Sequence, residues 1–213
     1  MILLPGIALA QATKEDYAIY SQFLKIVQDS YKTGKVSFVV NETTAYRQKS
    51  KDIGINDDIN EKVRDIRNYL AGNKNSAGYL TFSFRDFAKT LVTDTAWILL
   101  LDEVNRKMKQ RFKIANNFAP DLQTNVVDEP ICDKFFKHVK TVRQIDRNWA
   151  RFHKKYGAVS ALIELSPITS DGQRAVFYFS TRCGGICGEG DLVFFSKENS
   201  EWKFLYKAPL WYN

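Results

Sequence analysis

Residues 174–206 read RAVFYFSTRCGGICGEGDLVFFSKENSEWKFLY, three apolar segments separated by a glycine-rich stretch and a short polar one. The apolar segments are rich in β-branched and aromatic residues, which favours strands, and the stretches between them carry residues typical of turns. With the apolar run just upstream, the pattern predicts four strands: Val159–Leu165, Arg174–Arg182, Asp191–Ser196 and Trp202–Tyr206. Because tight turns join neighbouring strands, we predict an antiparallel β-meander. Every residue from Ala175 to Phe179 is apolar or aromatic, so that strand is predicted to be central.

Upstream of Gly157 the apolar residues recur mainly at helical spacing instead. This spacing predicts helices over 15–31, 59–70, 84–91, 97–112, 131–139 and 145–156, with strands over 35–46 and 124–127. Helices that come early and strands that come late are typical of the α+β class. We therefore predict N-terminal helices packed on one face of a C-terminal antiparallel β-meander of about four strands.

The length and composition exclude several classes of protein. The chain has 213 residues, of which 45% are hydrophobic and 26% are charged, so it can build a full core. No apolar run approaches the roughly 18–20 residues of a membrane-spanning helix, and no repeat of about 20–50 residues recurs. No linker divides the sequence, so we predict a single α+β domain over residues 13–213.

The N-terminus predicts export. Residues 2–12 read ILLPGIALAQA, a short apolar stretch that ends in small residues with the A-x-A spacing of a signal-peptide cleavage site. No basic residue precedes Ile2, so residues 1–12 are interpreted as a signal peptide clipped at its start. The protein is then expected in the bacterial periplasm or secreted, without a transmembrane segment.

The positive charge is concentrated in one quarter of the chain. Between Arg106 and Lys155 there are 13 basic and 5 acidic residues, whereas the formal net charge of the whole chain is +7. Such a surface attracts anions, including an anionic ligand or envelope component, although solvated helix faces also explain it and no specific nucleic-acid motif accompanies the charges. The candidate anion-binding residues are Lys137, Lys140, Arg143, Arg147, Arg151, Lys154 and Lys155.

The second candidate site is the loop between the second and third predicted strands, residues 182–190, which read RCGGICGEG. Its four glycines predict backbone angles that side chains would forbid. Cys183 and Cys187 can close a small ring, so in an oxidising compartment we predict a disulfide between them. The candidate loop-site residues are Arg182, Gly184, Gly185, Gly188, Glu189 and Gly190.

Three other interpretations of this loop stay open. Zinc could use Cys183, Cys187, Cys132 and either His138 or His153, but the C-x₃-C spacing lies outside the usual C-x₂-C pattern. A thiolate nucleophile could pair Cys183 with His153 and Glu189. A phosphate cradle would lack the G-K-[ST] sequence that normally follows it. No cofactor is predicted.

Several motifs follow one another along the C-terminal third. Trp149, Phe152 and Tyr156 form W-x-x-F-x-x-x-Y, residues 183–190 fit C-G-x-x-C-G-x-G, and a W-K pair at Trp202 precedes a final Trp211. This order resembles a group of uncharacterised exported bacterial proteins, to whose early strand Phe38–Thr44 is also similar. Residues 165–171 depart from the group, because its usual glycine and phenylalanine are missing. The resemblance implies export and a shared fold, and no activity.

Three functional hypotheses follow. The first is a non-enzymatic binding domain that uses the basic surface or a cleft between the helices and the sheet. The second is a hydrolytic or thiol-based enzyme with its site at the Cys183–Gly190 loop. The third is a metal-binding protein that uses the cysteines. The sequence contains none of the common catalytic motifs, which favours the first hypothesis.

Overall fold

The computed structural model describes residues 10–31, 36–41, 43–44, 59–73, 81–91, 94–108, 110, 112–128, 134–136, 141–185 and 187–212. The helices are α1 (Lys14–Ser30), α2 (Ile59–Leu70), α3 (Phe82–Leu91), α4 (Thr95–Lys107) and α5 (Val142–Tyr156). The strands are β1 (Ala10–Gln11), β2 (Ser37–Asn41), β3 (Thr43–Thr44), β4 (Phe112–Lys113), β5 (Thr124–Val127), β6 (Ser160–Leu165), β7 (Thr169–Ser170), β8 (Arg174–Arg182), β9 (Gly188–Glu198) and β10 (Glu201–Tyr212). Of the predicted helix over 131–139, residues 134–136 are described and are helical.

The predicted antiparallel meander is confirmed. Strands β6, β8, β9 and β10 pair antiparallel in chain order, and β8 is buried along nearly its whole length, as a central strand should be. The structure extends β9 and β10 beyond their predicted bounds, to 11 and 12 residues. The α+β class is therefore confirmed.

The sheet is larger than the predicted four strands. Strand β2 pairs parallel with both β5 and β6, which gives the order β10-β9-β8-β6-β2-β5, and β7 pairs with β8 beside this path. The sheet is thus mixed rather than wholly antiparallel. The sheet is larger than predicted because the upstream strands pair with strands that are distant in sequence. No local turn in the sequence indicates such a pairing.

The helices cover both faces of the sheet, not one as predicted, and α5 is not N-terminal. On one face α1 packs its buried side chains, among them Tyr20 and Phe23, against Phe177 and Phe179 of β8. On the other face α2, α3 and α4 pack on residues that include Val176 and Phe194. The alternation of side chains along each strand supplies both apolar surfaces, which is why the central strand has no polar face.

Helix α5 packs on the second face beside β6 and β2. Trp149 and Phe152 are buried against a cluster that includes Val39 and Leu162, as their spacing predicts, and Tyr156 is half-buried at its border. Thr141 caps the start of the helix, and Gly157 ends it at φ +117°, where a side chain would be strained. The buried stripe leaves the opposite side of α5 facing solvent.

The N-terminal signal-peptide prediction falls mostly on residues 1–9, which lie outside the described residues. Strand β1 pairs parallel with β4, and the adjacent Ala12 packs against the core formed around α1. Thr13 and Asp16 then form a capping box at the start of α1, in which each side chain bonds the backbone of the other. Residues 10–12 are therefore part of the fold.

Candidate functional site

The glycine-rich loop closes the hairpin between β8 and β9. The Sγ atoms of Cys183 and Cys187 lie at disulfide distance, with their Cα atoms 5.2 Å apart, in the usual range for a disulfide. The backbone N–H of Cys183 also donates to the carbonyl oxygen of Cys187 at 3.0 Å. The predicted pairing of the two sulfurs is thus present, and it leaves neither Sγ as a free thiolate.

We expect peptide mapping, without reductant, of protein taken from its native compartment to recover Cys183 and Cys187 in one linked fragment. The loop-closure model gives a ring of this size about 2 kcal/mol of stabilisation. The double replacement C183S/C187S should therefore lower the free energy of unfolding by about that amount. Free thiols at both positions in protein taken from its native compartment would show that the pairing is not used there.

The loop glycines serve close approach rather than unusual backbone angles. The prediction of forbidden angles is wrong for Gly184, Gly185 and Gly190, since the described glycines with positive φ are Gly72, Gly157 and Gly172. A Cβ on Gly185 would lie 3.1 Å from Ile145 of α5, and one on Gly190 would overlap the indole of Trp211. The glycines let the loop lie on α5 and let Trp211 lie on the sheet.

His153 links α5 to this loop through the backbone. Its Nε2 lies 3.2 Å from the carbonyl oxygen of Cys183, and its Nδ1 lies 2.9 Å from Oγ of Ser160. Because a carbonyl oxygen can only accept, Nε2 must donate, and in a neutral ring Nδ1 then accepts from the Ser160 hydroxyl. The imidazole therefore binds main chain and a hydroxyl, which gives no support to a Cys183–His153 nucleophile.

The sheet divides the predicted loop-site residues between its two faces. Thr181 and Glu189 are direct partners in the β8–β9 ladder and share one face, so Arg182, the next residue, faces the other. Glu189 forms an ion pair with Lys207 at 2.8 Å, whereas Arg182 lies over the ring of Trp211. A single site that uses both Arg182 and Glu189 is therefore not formed.

On the face of Glu189, beside the end of α1, lies a buried ionic group that no sequence motif marks. Asp191 is wholly buried, and Lys207 Nζ lies 3.4 Å from its Oδ2, while its Oδ1 has no hydrogen-bond partner among the described residues. Burial raises the pKa of Asp191 to about 6, an effect that the nearby Lys207 opposes and Glu189 reinforces. Burial lowers the pKa of Lys207, but its bonds to Glu189 and Asp191 raise it more.

Burial also raises the pKa of Tyr31, which ends α1 in the same region, and the charge of Glu189 adds to this effect. The sequence contained a signal for the buried ionic group of Asp191, Lys207 and Glu189. Glu189, Asp191, Val193 and Phe195 alternate along one strand, so an acid in register with core residues had to point inward.

The opposite face carries a second polar group, around Arg182. The indole N–H of Trp211 donates to the Tyr178 hydroxyl at 3.0 Å, and the Ser180 hydroxyl donates to Glu164 Oε2 at 3.0 Å. Burial raises the pKa of Tyr178 well above its ordinary range, and Glu164 contributes in the same direction. Glu164 and Tyr178 were not among the predicted site residues, because neither belongs to a recognisable motif.

The basic surface is formed by α5 as far as the structure describes it. Arg143, Arg147, Arg151, Lys154 and Lys155 are all exposed, while Lys137 and Lys140 lie outside the described residues. Arg143, Arg147 and Arg151 follow at four-residue steps and so line one side of the helix. Among the described residues, no carboxylate lies within ion-pair distance of these five cations.

The zinc prediction is not supported by the described part of the chain. No group of three or more His, Cys, Asp or Glu side chains there is arranged to hold a metal ion. Cys132 and His138, two of the ligands that the zinc hypothesis needs, lie outside the described residues.

Comparison with models of protein families, with curated proteins and with solved structures found no match to this chain. The resemblance of the C-terminal motifs to exported bacterial proteins therefore stays a prediction. Within the described ranges, none of the helices is both long and apolar enough to cross a membrane. The fold and its surfaces define an α+β domain with a mixed sheet between helical layers and one exposed basic helix.

Proposed function

We propose that the chain is an exported bacterial binding domain, not an enzyme, that binds an anionic ligand or envelope component through α5. Two features support export, namely the signal-like N-terminus and a Cys183–Cys187 pair that suits an oxidising compartment. The division of Arg182 from Glu189 by the sheet speaks against a catalytic site at the loop. The buried contacts of α5 hold the helix in place, so the side chains on its outer side are presented by a rigid element.

The exposed cations of α5 are the observation that carries this proposal. Five basic side chains on one helix leave a positive potential that no ion pair within the described residues cancels. The apolar stripe of Trp149 and Phe152 fixes the helix on the sheet, so the cations keep a constant spacing. A flexible tail of the same charge would lose more entropy on binding.

We expect the purified protein to bind an acidic polysaccharide with an affinity that falls as salt rises, because each neutralised charge releases counterions. The double charge reversal R147E/R151E should weaken this binding at least about tenfold, since one factor of ten is about 1.4 kcal/mol and two contacts are reversed. Affinity is measured by titration at several salt concentrations, with duplex DNA as the second polyanion.

A matched control is K14E/K25E, which makes the same change of net charge on α1, across the sheet from α5. Its affinity for the polysaccharide should stay within about twofold of the unaltered protein if α5 is the binding surface. Weak binding that is similar for both polyanions and lost near 0.15 M salt, where the Debye length is about 8 Å, would mean that α5 is only a solvated face.

A further inference from the structure

Two unlike charges lie near each other on the second face of the sheet without pairing. In the ladder between β6 and β8, Leu162 faces Arg182 and Glu164 faces Ser180, so Glu164 and Arg182 are diagonal neighbours on one face. Both side chains are half-buried and keep some contact with solvent. No carboxylate of the described residues, Glu164 included, lies within ion-pair distance of Arg182.

Each of the two charged groups has its own local contact. Arg182 leans toward β10, where its guanidinium lies 5.6 Å from the ring centre of Trp211, and Gly190 on the strand between them leaves room for this contact. Glu164 instead accepts a hydrogen bond from Ser180 at 3.0 Å. The Trp211 ring thus holds the guanidinium of Arg182, and the Ser180 hydroxyl holds the carboxylate of Glu164.

The guanidinium is left with unused donors. Its Nε is buried and has no hydrogen-bond partner in the described structure, and the neighbouring Trp211 N–H and Tyr178 hydroxyl are bonded to each other. A guanidinium presents five N–H donors in a planar fork that matches a carboxylate. A cation that is half-buried and unpaired is costly to the fold, so the arrangement suits a ligand that brings the missing acceptor.

We propose that Glu164 and Arg182 bind a small zwitterion, with its carboxylate on Arg182 and its ammonium group on Glu164. The proposal does not rest on anion binding by α5, because it uses different residues. Residues at diagonal ladder positions lie roughly 7–8 Å apart, with their Cβ atoms somewhat closer, and these two charged groups are too far apart to form an ion pair. The ligand therefore separates its two charges by several methylene groups.

A series of ω-amino acids tests this distance directly. We expect 4-aminobutyrate and 6-aminohexanoate to bind at least tenfold more tightly than glycine, and more tightly than butyrate or butylamine, which each carry one of the two charges. Binding is measured by calorimetric titration of the full chain at pH 7. A change in Trp211 fluorescence should accompany it and should be lost in the W211F variant, because the carboxylate would sit beside that indole.

Each charged group has its own variant. R182Q and E164Q should each weaken 4-aminobutyrate or 6-aminohexanoate binding at least tenfold, and R182K should also weaken it, because lysine lacks the planar fork. K203Q, at an exposed position of β10, should bind as the unaltered chain does. The proposal is overturned if none of the probes binds saturably, or if R182Q and R182K, both folded by circular dichroism, bind them unchanged.

Discussion

Replacing Trp149 by alanine is expected to lower the free energy of unfolding by about 3–5 kcal/mol, the usual cost of truncating a buried aromatic side chain. Trp149 is 6% exposed, and its ring centre lies 4.7 Å from that of Phe136 and 5.2 Å from that of Phe152. The indole is therefore a central part of the cluster that joins α5 to β6 and β2. Its loss leaves a cavity that the surrounding rings can fill only in part.

Urea unfolding followed by circular dichroism measures this change, with Leu99→Ala as the control. Leu99 lies on α4 and is 69% exposed, so the same kind of truncation there should cost less than about 0.5 kcal/mol. A Trp149→Ala midpoint equal to that of the unaltered protein would show that α5 does not pack as described. The basic side of α5 would then lose the rigid support on which the proposed binding surface depends.

The parts of the fold that were predictable from the sequence are those that depend on neighbours along the chain. The strands β6, β8, β9 and β10 are joined by short connections. Their apolar segments therefore predict both the strands and the order of the strands in the sheet. Helix α5 was also predictable, because Trp149 and Phe152 are three residues apart and therefore lie on the same face of a helix. The capping pair Thr13 and Asp16 has the same local character.

The position of β2 and β5 in the sheet was not predictable by the same means. Both were recognised as strands, but the parallel pairing of β2 with β5 and with β6 joins segments that long crossover connections separate. The number of covered faces was nevertheless implied. A β8 strand apolar on both sides needs a layer on each face, and that observation contradicts the single helical layer that we predicted from the order of helices and strands.

The candidate site shows the same limit. Composition drew attention to the loop at residues 183–190, but strand alternation decides which face each residue occupies, and it sends Glu189 and Arg182 apart. The charged residues with the least usual environments, Asp191, Glu164 and Arg182, lie within strands. Sequence motifs do not identify single charged residues in strands as site residues, although such residues are costly to bury unless they are partnered.

The pH dependence of stability is expected to change markedly in the Asp191→Asn variant. Burial raises the pKa of Asp191 to about 6, against 3.8 for an ordinary aspartate. The charged groups that act on this carboxyl are Lys207 and Glu189, and Asp191 in turn raises the pKa of Tyr212, although burial is the larger cause there. Because asparagine does not titrate, the variant removes the contribution of this one carboxyl.

The sign follows from proton binding. Between about pH 4 and pH 6 the folded protein holds a proton on Asp191 that the unfolded chain has released, so stability falls as the pH rises through this window. The contribution is fully present below the unfolded pKa and is lost above the folded one. A difference of about 2 pH units at about 1.4 kcal/mol each gives roughly 3 kcal/mol.

The stability of Asp191→Asn relative to the unaltered chain should therefore rise by roughly 2–3 kcal/mol between pH 4 and pH 7, as measured by urea unfolding at each pH. Asp121→Asn supplies a control of opposite sign, because the hydrogen bond from Lys25 lowers the pKa of the exposed Asp121. That variant should lose relative stability, by a smaller amount, as the pH rises from 2 to 5. If the two variants show parallel pH profiles, Asp191 is not buried beside Lys207 as a carboxyl that is hard to ionise, and the ionic group on this face of the sheet must be arranged differently.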